Sequence, residues 1–136
     1  MIDRAQARRD VLLVPMLVYG AASLLHHVHN AVFLADYPNM PAWITPAHVC
    51  AAWVVVAAIG VVGFLLRRCG WRVAGLLAVG VYAAYGLDGL AHYGLAPVSA
   101  HTFAMNLTIW LEVGTALVLL MTVGRVAARE LGSSRQ

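Results

Sequence analysis

The sequence contains no lysine, and only 11% of its 136 residues are charged. A water-soluble domain usually carries about 25% charged and about 45–50% apolar residues. Here 62% of the residues are hydrophobic, so a water-soluble fold could not bury the apolar surface and we expect a lipid environment. The net charge of +3 comes from arginines that flank apolar segments, which argues against a nucleic-acid-binding surface.

Cysteine is also scarce, with only Cys50 and Cys69 present. We expect these two residues at opposite faces of a bilayer, too far apart for a disulfide bond. Their number and spacing exclude a disulfide framework and a thiolate metal site. The sequence also lacks a glycine-rich phosphate loop and a nucleophile elbow, which sets aside the chemistries that depend on them.

Four apolar segments are each long enough to cross a hydrocarbon core of about 30 Å as a helix. They are residues 11–35, 46–66, 73–93 and 102–124. Backbone exposed to lipid must satisfy its hydrogen bonds internally, so all four should be helices. The sequence predicts a single all-α domain over residues 1–136, an integral membrane four-helix bundle with up-down-up-down topology. Segment 11–35 is too long for a cleaved signal peptide and carries histidines.

The nine arginines predict the orientation of this bundle. They precede the first segment, separate the second from the third, and follow the fourth: Arg4, Arg8, Arg9, Arg67, Arg68, Arg72, Arg125, Arg129 and Arg135. The positive-inside rule therefore places both termini in the cytoplasm. We expect a multi-pass protein of a bacterial inner (plasma) membrane, with the lipid bilayer as a partner and a homo-oligomer or larger membrane complex as a further assembly.

A short repeat links the two halves of the chain. Residues 19–26 and 85–92 share the pattern Y-G-x-x-x-L-x-H, and the second and fourth segments each begin with an Ala-His pair. Both halves would start on the cytoplasmic side, so this pattern suggests two parallel-repeat helical hairpins.

All six histidines lie in the predicted outer half of the membrane. Each helix brings one of them to a similar depth, and we expect these four to face the bundle interior: His26, His48, His92 and His101. Polar residues within lipid usually face the bundle interior and mark functional sites. Neutral imidazole is the commonest metal ligand and suits copper, zinc and iron, so these residues are candidate metal ligands. Two histidines could instead ligate a haem.

Two carboxylates accompany the histidines and are candidate catalytic groups. Asp88 precedes His92 by four residues, which places both on one helical face with Tyr85 beside them. Glu112 lies about 15 Å into its helix, near the bilayer midplane. No arginine is at that depth, so we expect Glu112 to be neutral or bonded to a histidine. Asn30, His29 and Tyr85 are candidate cofactor-binding residues on the same faces.

The arrangement of Asp88, His92 and His101 resembles a known metal site. An Asp-x-x-x-His pair followed by a further histidine is similar to the Asp/His/His copper site in the transmembrane C subunit of particulate methane and ammonia monooxygenases. The resemblance covers these three residues only, and it implies copper ligation by them.

Three functions therefore remain open from the sequence. The first is a membrane protein with a histidine-rich copper, zinc, iron or haem site, with or without redox activity. The second is a metal-free membrane enzyme or lipid-binding protein that uses Asp88, Glu112 and histidine for acid–base chemistry. The third is an accessory subunit whose polar cluster joins its helices or docks onto a larger complex.

Overall fold

The computed structural model describes residues 11–133, and this part of the chain is helical and contains no β-strand. The helices are α1 (Leu13–Val32), α2 (Pro46–Arg68), α3 (Arg72–Tyr85), α4 (His92–Leu95) and α5 (Phe103–Ser133). Short 3-10 turns at Leu34–Asp36, Asp88–Ala91 and Val98–Ala100 lie between them. The expectation of an all-α chain with four long helical segments is confirmed.

The long helices pack in a closed ring. Helix α1 contacts α2 and α5, and α3 contacts α2 and α5. We call the end that carries the connections 33–45 and 96–102 the histidine end, because all six histidines lie toward it. The opposite end, with the turn 69–71 and residues 125–133, is the arginine end. It carries the five arginines among residues 11–133.

Three helical stretches of the described part are long and apolar enough to cross a membrane: Pro46–Arg68, Arg72–Leu95 and Phe103–Gly132. Helix α1 has a length of 20 residues but is not among them. Its last third carries three histidines and Asn30, which lower its mean hydropathy. The first ten residues and the last three, with Arg4, Arg8, Arg9 and Arg135, lie outside the described residues, so the predicted positions of the termini are not tested.

Small residues bring α2 and α3 into close contact. A Cβ added to Gly75 would lie 2.6 Å from the carbonyl oxygen of Gly63 and 2.7 Å from the backbone nitrogen of Arg67. A Cβ added to Gly60 would lie 2.9 Å from the ring of Tyr82. Such contacts allow helices to pack tightly where lipid provides no hydrophobic force between them.

The third segment differs from the predicted continuous helix over 73–93. Helix α3 ends at Tyr85, and the chain passes through the 3-10 turn before α4 begins at His92. A Cβ on Gly86 would lie 2.5 Å from both the Tyr19 ring and the Ala116 methyl, so the backbone approaches its neighbours closely here. A 3-10 turn has about 3.0 residues per turn instead of 3.6. Residues beyond Tyr85 therefore do not keep the helical face that the sequence predicts.

Candidate functional site

The histidine end divides into two polar regions because adjacent residues of α1 point in different directions. His26 is buried and faces α5, where Glu112 and Thr108 lie. His27 is partly exposed and lines a cavity that α1 forms with α2 and α4, which is described below. The rotation of about 100° per residue in an α-helix produces this separation.

The buried region contains close polar contacts between α1 and α5. The Thr108 hydroxyl donates to the carbonyl oxygen of Met105 at 3.0 Å. His26 Nδ1 lies 3.3 Å from Thr108 Oγ1, and His26 Nε2 lies 3.6 Å from Glu112 Oε2. Glu112 Oε1 is 3.6 Å from Nδ1 of His27. The carboxyl group of Glu112 is 2% exposed and lies near these two imidazoles, and its Oε2 has no hydrogen-bond partner in the described structure.

Imidazole and phenol rings continue this region toward the histidine end. The ring centre of His92 lies 5.3 Å from that of His26, 4.8 Å from that of Tyr37 and 6.2 Å from that of His101. Asn30 Nδ2 donates to His92 Nε2 at 3.3 Å. We call His26, His27, His92 and His101 the histidine cluster. Three of its members are at least nine-tenths buried, with His27 at the edge.

The connection before α5 positions His101. The Nδ1–H group of His101 donates to the carbonyl oxygen of Pro97 at 3.1 Å. Asn106 Nδ2 donates to the carbonyl oxygens of Val98 and His101. Its Oδ1 accepts a 2.7 Å bond from Tyr93. Because Nδ1 carries the proton, Nε2 of His101 presents a lone pair, and this buried atom has no hydrogen-bond partner in the described structure.

The connection 33–45 covers the cluster from above. Tyr37 is buried, and its hydroxyl lies 2.9 Å from His29 Nδ1. Burial raises the pKa of the Tyr37 phenol above its ordinary value, so the phenol stays protonated and donates to His29. Asn39 has a positive φ of 57°, which asparagine tolerates better than most residues, and its side chain donates to the carbonyl oxygen of Leu95 at 2.9 Å. These bonds fix the connection to α1 and α4.

A cavity of about 440 Å³ lies beneath this connection, between α1, α2 and α4, and we call it the side cavity. Its lining combines polar and apolar side chains. The polar groups are His27, Asn30, His48, Asp88 and His92, and the apolar side chains include Met40, Trp43, Ile44 and Leu95. The Trp43 and His48 rings lie 6.2 Å apart at its mouth. Three of the five polar groups are ionisable imidazoles, and one is a carboxyl.

The structure brings together some of the predicted site residues and separates others. His26, His92 and His101 are buried neighbours, as expected. His48 is exposed instead of facing the bundle interior, because Thr45 and His48 form a reciprocal capping box at the start of α2. Tyr85 is 52% exposed and points away from the site, because α3 ends there.

The remaining predicted residues also have definite places. Asp88 is exposed and lines the side cavity, while Glu112 is buried next to His26 and His27. Asn30 is buried against His92, and His29 binds Tyr37 outside the cavity lining. The predicted candidates therefore occupy two adjoining regions rather than one ring around a common axis.

The four histidines predicted as metal ligands do not all face one interior site, because His48 is exposed. Among residues 11–133, no three His, Cys, Asp or Glu side chains are placed to share one ion. Binding of copper, zinc, iron or haem therefore stays a prediction.

Sequence reasoning missed three residues of the site. His27 was not among the predicted site residues, yet it lines the side cavity and its Nδ1 lies 3.6 Å from Glu112 Oε1. Tyr37 and Trp43 were also not among the predicted site residues, although Tyr37 packs on His92 and Trp43 lines the cavity. The His-His pair at 26–27 is the signal that could have indicated two polar faces on α1.

Comparison with known proteins does not assign the chain to a family. No protein-family model, curated protein sequence or solved structure is significantly similar to it. The functional proposal therefore rests on the geometry of the histidine end.

Proposed function

We propose that this is a multi-pass inner-membrane protein that binds a small amphipathic molecule in the side cavity. The observation that carries the proposal is a cavity whose lining combines imidazole and carboxyl groups with apolar side chains. Pockets for small ligands are commonly about 300–1,000 Å³ and combine apolar lining with a few convergent polar groups.

The outer surface of the helices supports the membrane location. Apolar side chains on α2 such as Val54, Val55 and Val61 are more than half exposed. Monomeric soluble proteins rarely expose contiguous apolar faces of this kind. The separation of arginines and histidines to opposite ends also fits a membrane protein with a cytoplasmic arginine end.

The chemistry of the cavity favours a ligand with an aromatic hydroxyl head group and an apolar tail. Asn30 and the imidazoles provide both donors and acceptors for a hydroxyl group. The ring of Trp43 provides a surface on which an aromatic head group can stack. Met40 and Ile44 are among the apolar side chains of the lining, where the tail would begin.

The binding proposal is tested with the full chain in lipid nanodiscs and an alkylphenol as the probe. Calorimetric titration should show saturable binding at one site. His92→Leu or Asp88→Leu should weaken binding about tenfold, because each removes a hydrogen bond of about 1.5 kcal/mol. Glu130→Gln, at the arginine end, should leave the affinity unchanged. Absence of saturable binding, or equal loss in the Glu130 variant, would overturn the proposal.

The two native cysteines provide a test of the membrane orientation. Cys50 and Cys69 are both exposed, and Cys69 lies at the end of α2 in the arginine-end turn. A membrane-impermeant maleimide should label Cys69 in inside-out vesicles but not in intact spheroplasts. Labelling of Cys69 from outside the spheroplasts would reverse the proposed orientation.

Metal binding is a second candidate, favoured by the buried lone pair of His101 Nε2. This nitrogen lies in a group of imidazoles whose centres are 5–6 Å apart and could ligate copper, zinc or iron after a change of side-chain rotamers. Elemental analysis and a visible spectrum of the purified protein test for metal and haem. Stoichiometric copper or zinc uptake that is lost in His101→Gln but kept in His29→Gln would support this candidate, and no uptake would exclude it.

A further inference from the structure

A second concave region lies on the outer surface of the bundle, toward the arginine end. A groove of about 570 Å³ runs between α3 and α5. Its lining extends from Val73 to Ala84 on α3 and from Leu120 to Leu131 on α5. At about 1.5 Å per residue, each of these ranges is about 16 Å long. The hydrocarbon core of a bilayer is about 30 Å thick, so the length of the groove matches one leaflet.

The lining of the groove suits an acyl chain. Leu77 is 67% exposed along it, and a Cβ added to Gly80 would lie 3.6 Å from Val123, so the missing side chain deepens the groove at this point. Of the described residues that line the groove, Glu130 alone is polar. Its carboxyl group binds Arg67 at 3.1 Å, which balances its charge.

The groove continues into a hollow at the turn 69–71. Val73 and Leu77 line both the groove and the hollow, so the two are continuous. Trp71 and Arg72 also line the hollow, and both are exposed. Tryptophan is enriched at the level of lipid head groups, and arginine binds phosphate through charge-assisted hydrogen bonds. The apolar groove therefore ends at a cation and an aromatic ring typical of the membrane interface.

The charge at this end indicates what occupies the groove. Among residues 11–133, the arginine end carries five arginines and one carboxyl group, that of Glu130. Basic pockets between membrane helices bind anionic lipid head groups. A second copy of the chain is less suitable, because two copies in one membrane share an orientation. A two-fold dimer through the groove would bring their arginine ends together.

We propose that the groove and the hollow bind one anionic phospholipid, with an acyl chain between α3 and α5 and the phosphate group at Arg72. This site lies at the opposite end from the side cavity and goes beyond the proposed ligand-binding function. The inference rests on the proposed membrane location, which the labelling of Cys69 tests separately.

Trp71 reports on this site, because it lines the hollow. A variant that keeps Trp71 as its single tryptophan is placed in nanodiscs of brominated phosphatidylcholine, which quenches its fluorescence. Unbrominated phosphatidylglycerol should relieve the quenching about ten times more effectively than unbrominated phosphatidylcholine. Arg72→Gln should lower this preference about fivefold. Arg125→Gln is the charge-matched control, because Arg125 is exposed at the same end but outside the lining, and it should retain the preference.

A second pair of variants tests the groove without changing any charge. Ala84→Leu places a larger side chain in the groove and should lower the preference for phosphatidylglycerol at least twofold. Ala128→Leu is the control, because Ala128 is an exposed residue of α5 outside the lining, and it should retain the preference.

Three results would overturn the proposal. The first is equal relief of quenching by the two lipids. The second is an equal loss of preference in Arg72→Gln and Arg125→Gln, since the preference would then reflect overall charge. The third is a dimer in nanodiscs that Ala84→Leu converts to a monomer, which would assign the groove to a second copy of the chain. If Arg72→Gln does not fold, the Ala84 and Ala128 variants decide, and equal preferences in these two variants contradict the proposal.

Discussion

The two ends of the bundle are built differently. At the arginine end, glycines let the backbones of α2 and α3 touch, and Arg67 binds Glu130 at 3.1 Å near the surface. At the histidine end, α3 breaks into a 3-10 turn, the connections cover buried imidazoles, and a cavity opens beside them. The close contact of α2 and α3 leaves no space for a side chain between their backbones at Gly75, whereas the interrupted helix at the histidine end lies beside buried imidazoles. The comparison indicates that the arginine end provides stability and the histidine end provides the site.

The largest expected effect on stability is at the α2–α3 contact. Gly75→Ala places a Cβ against the backbone of Gly63 and Arg67, which cannot move without separating the helices. We expect the free energy of unfolding in detergent to fall by about 1–3 kcal/mol. Gly124→Ala is the control, because nothing lies within 4 Å of its added Cβ. Equal stability of the two variants would contradict the claim that helix packing at the arginine end stabilises the protein.

A smaller effect is expected from the connection that covers the histidine cluster. Tyr37→Phe removes the hydroxyl that binds His29 and should lower the free energy of unfolding by about 1 kcal/mol. Tyr85→Phe, at an exposed position, should leave it unchanged. Thermal unfolding of both variants in the same detergent is the measurement. A loss in Tyr37→Phe as large as that in Gly75→Ala would mean that the two ends contribute equally.

The smallest effect concerns the ion pair at the arginine end. Arg67 and Glu130 are partly exposed, and such pairs contribute about 0–1 kcal/mol. Glu130→Gln should therefore lower the free energy of unfolding by about 0.5 kcal/mol, and high salt should reduce the difference. A larger loss that does not depend on salt would contradict the description of this contact as a weak, salt-screened pair at the surface.

Much of the fold followed from the sequence because a long apolar segment that can cross a membrane is expected to be a helix. Apolar length predicted the long helices, and the separation of arginines from histidines predicted two different ends. The bounds of the third segment were wrong, because no sequence pattern indicated that Gly86 must approach Tyr19 and Ala116 closely. This close approach coincides with the end of α3 at Tyr85. The prediction that Tyr85 lies beside Asp88 and His92 assumed one continuous α-helix, so it failed where the 3-10 turn begins.

The candidate site was less predictable than the fold. The buried positions of His26, His92, His101 and Glu112 followed from their depth in apolar segments. His48 did not join them, because its side chain caps α2, and local hydrogen bonds of this kind depend on where the helix begins. The role of His27 depends on which element faces each side of α1. That information arises only when the helices are packed together.

The most direct test of the account is whether a ligand occupies the side cavity beside Trp43. Variants that keep a single tryptophan, either Trp43 in the cavity or Trp71 at the arginine end, are titrated with a brominated alkylphenol that quenches fluorescence on contact. The account predicts saturable quenching of Trp43 that is weakened by His92→Leu, with only weak, non-saturable quenching of Trp71. Equal quenching of both tryptophans without saturation would contradict it.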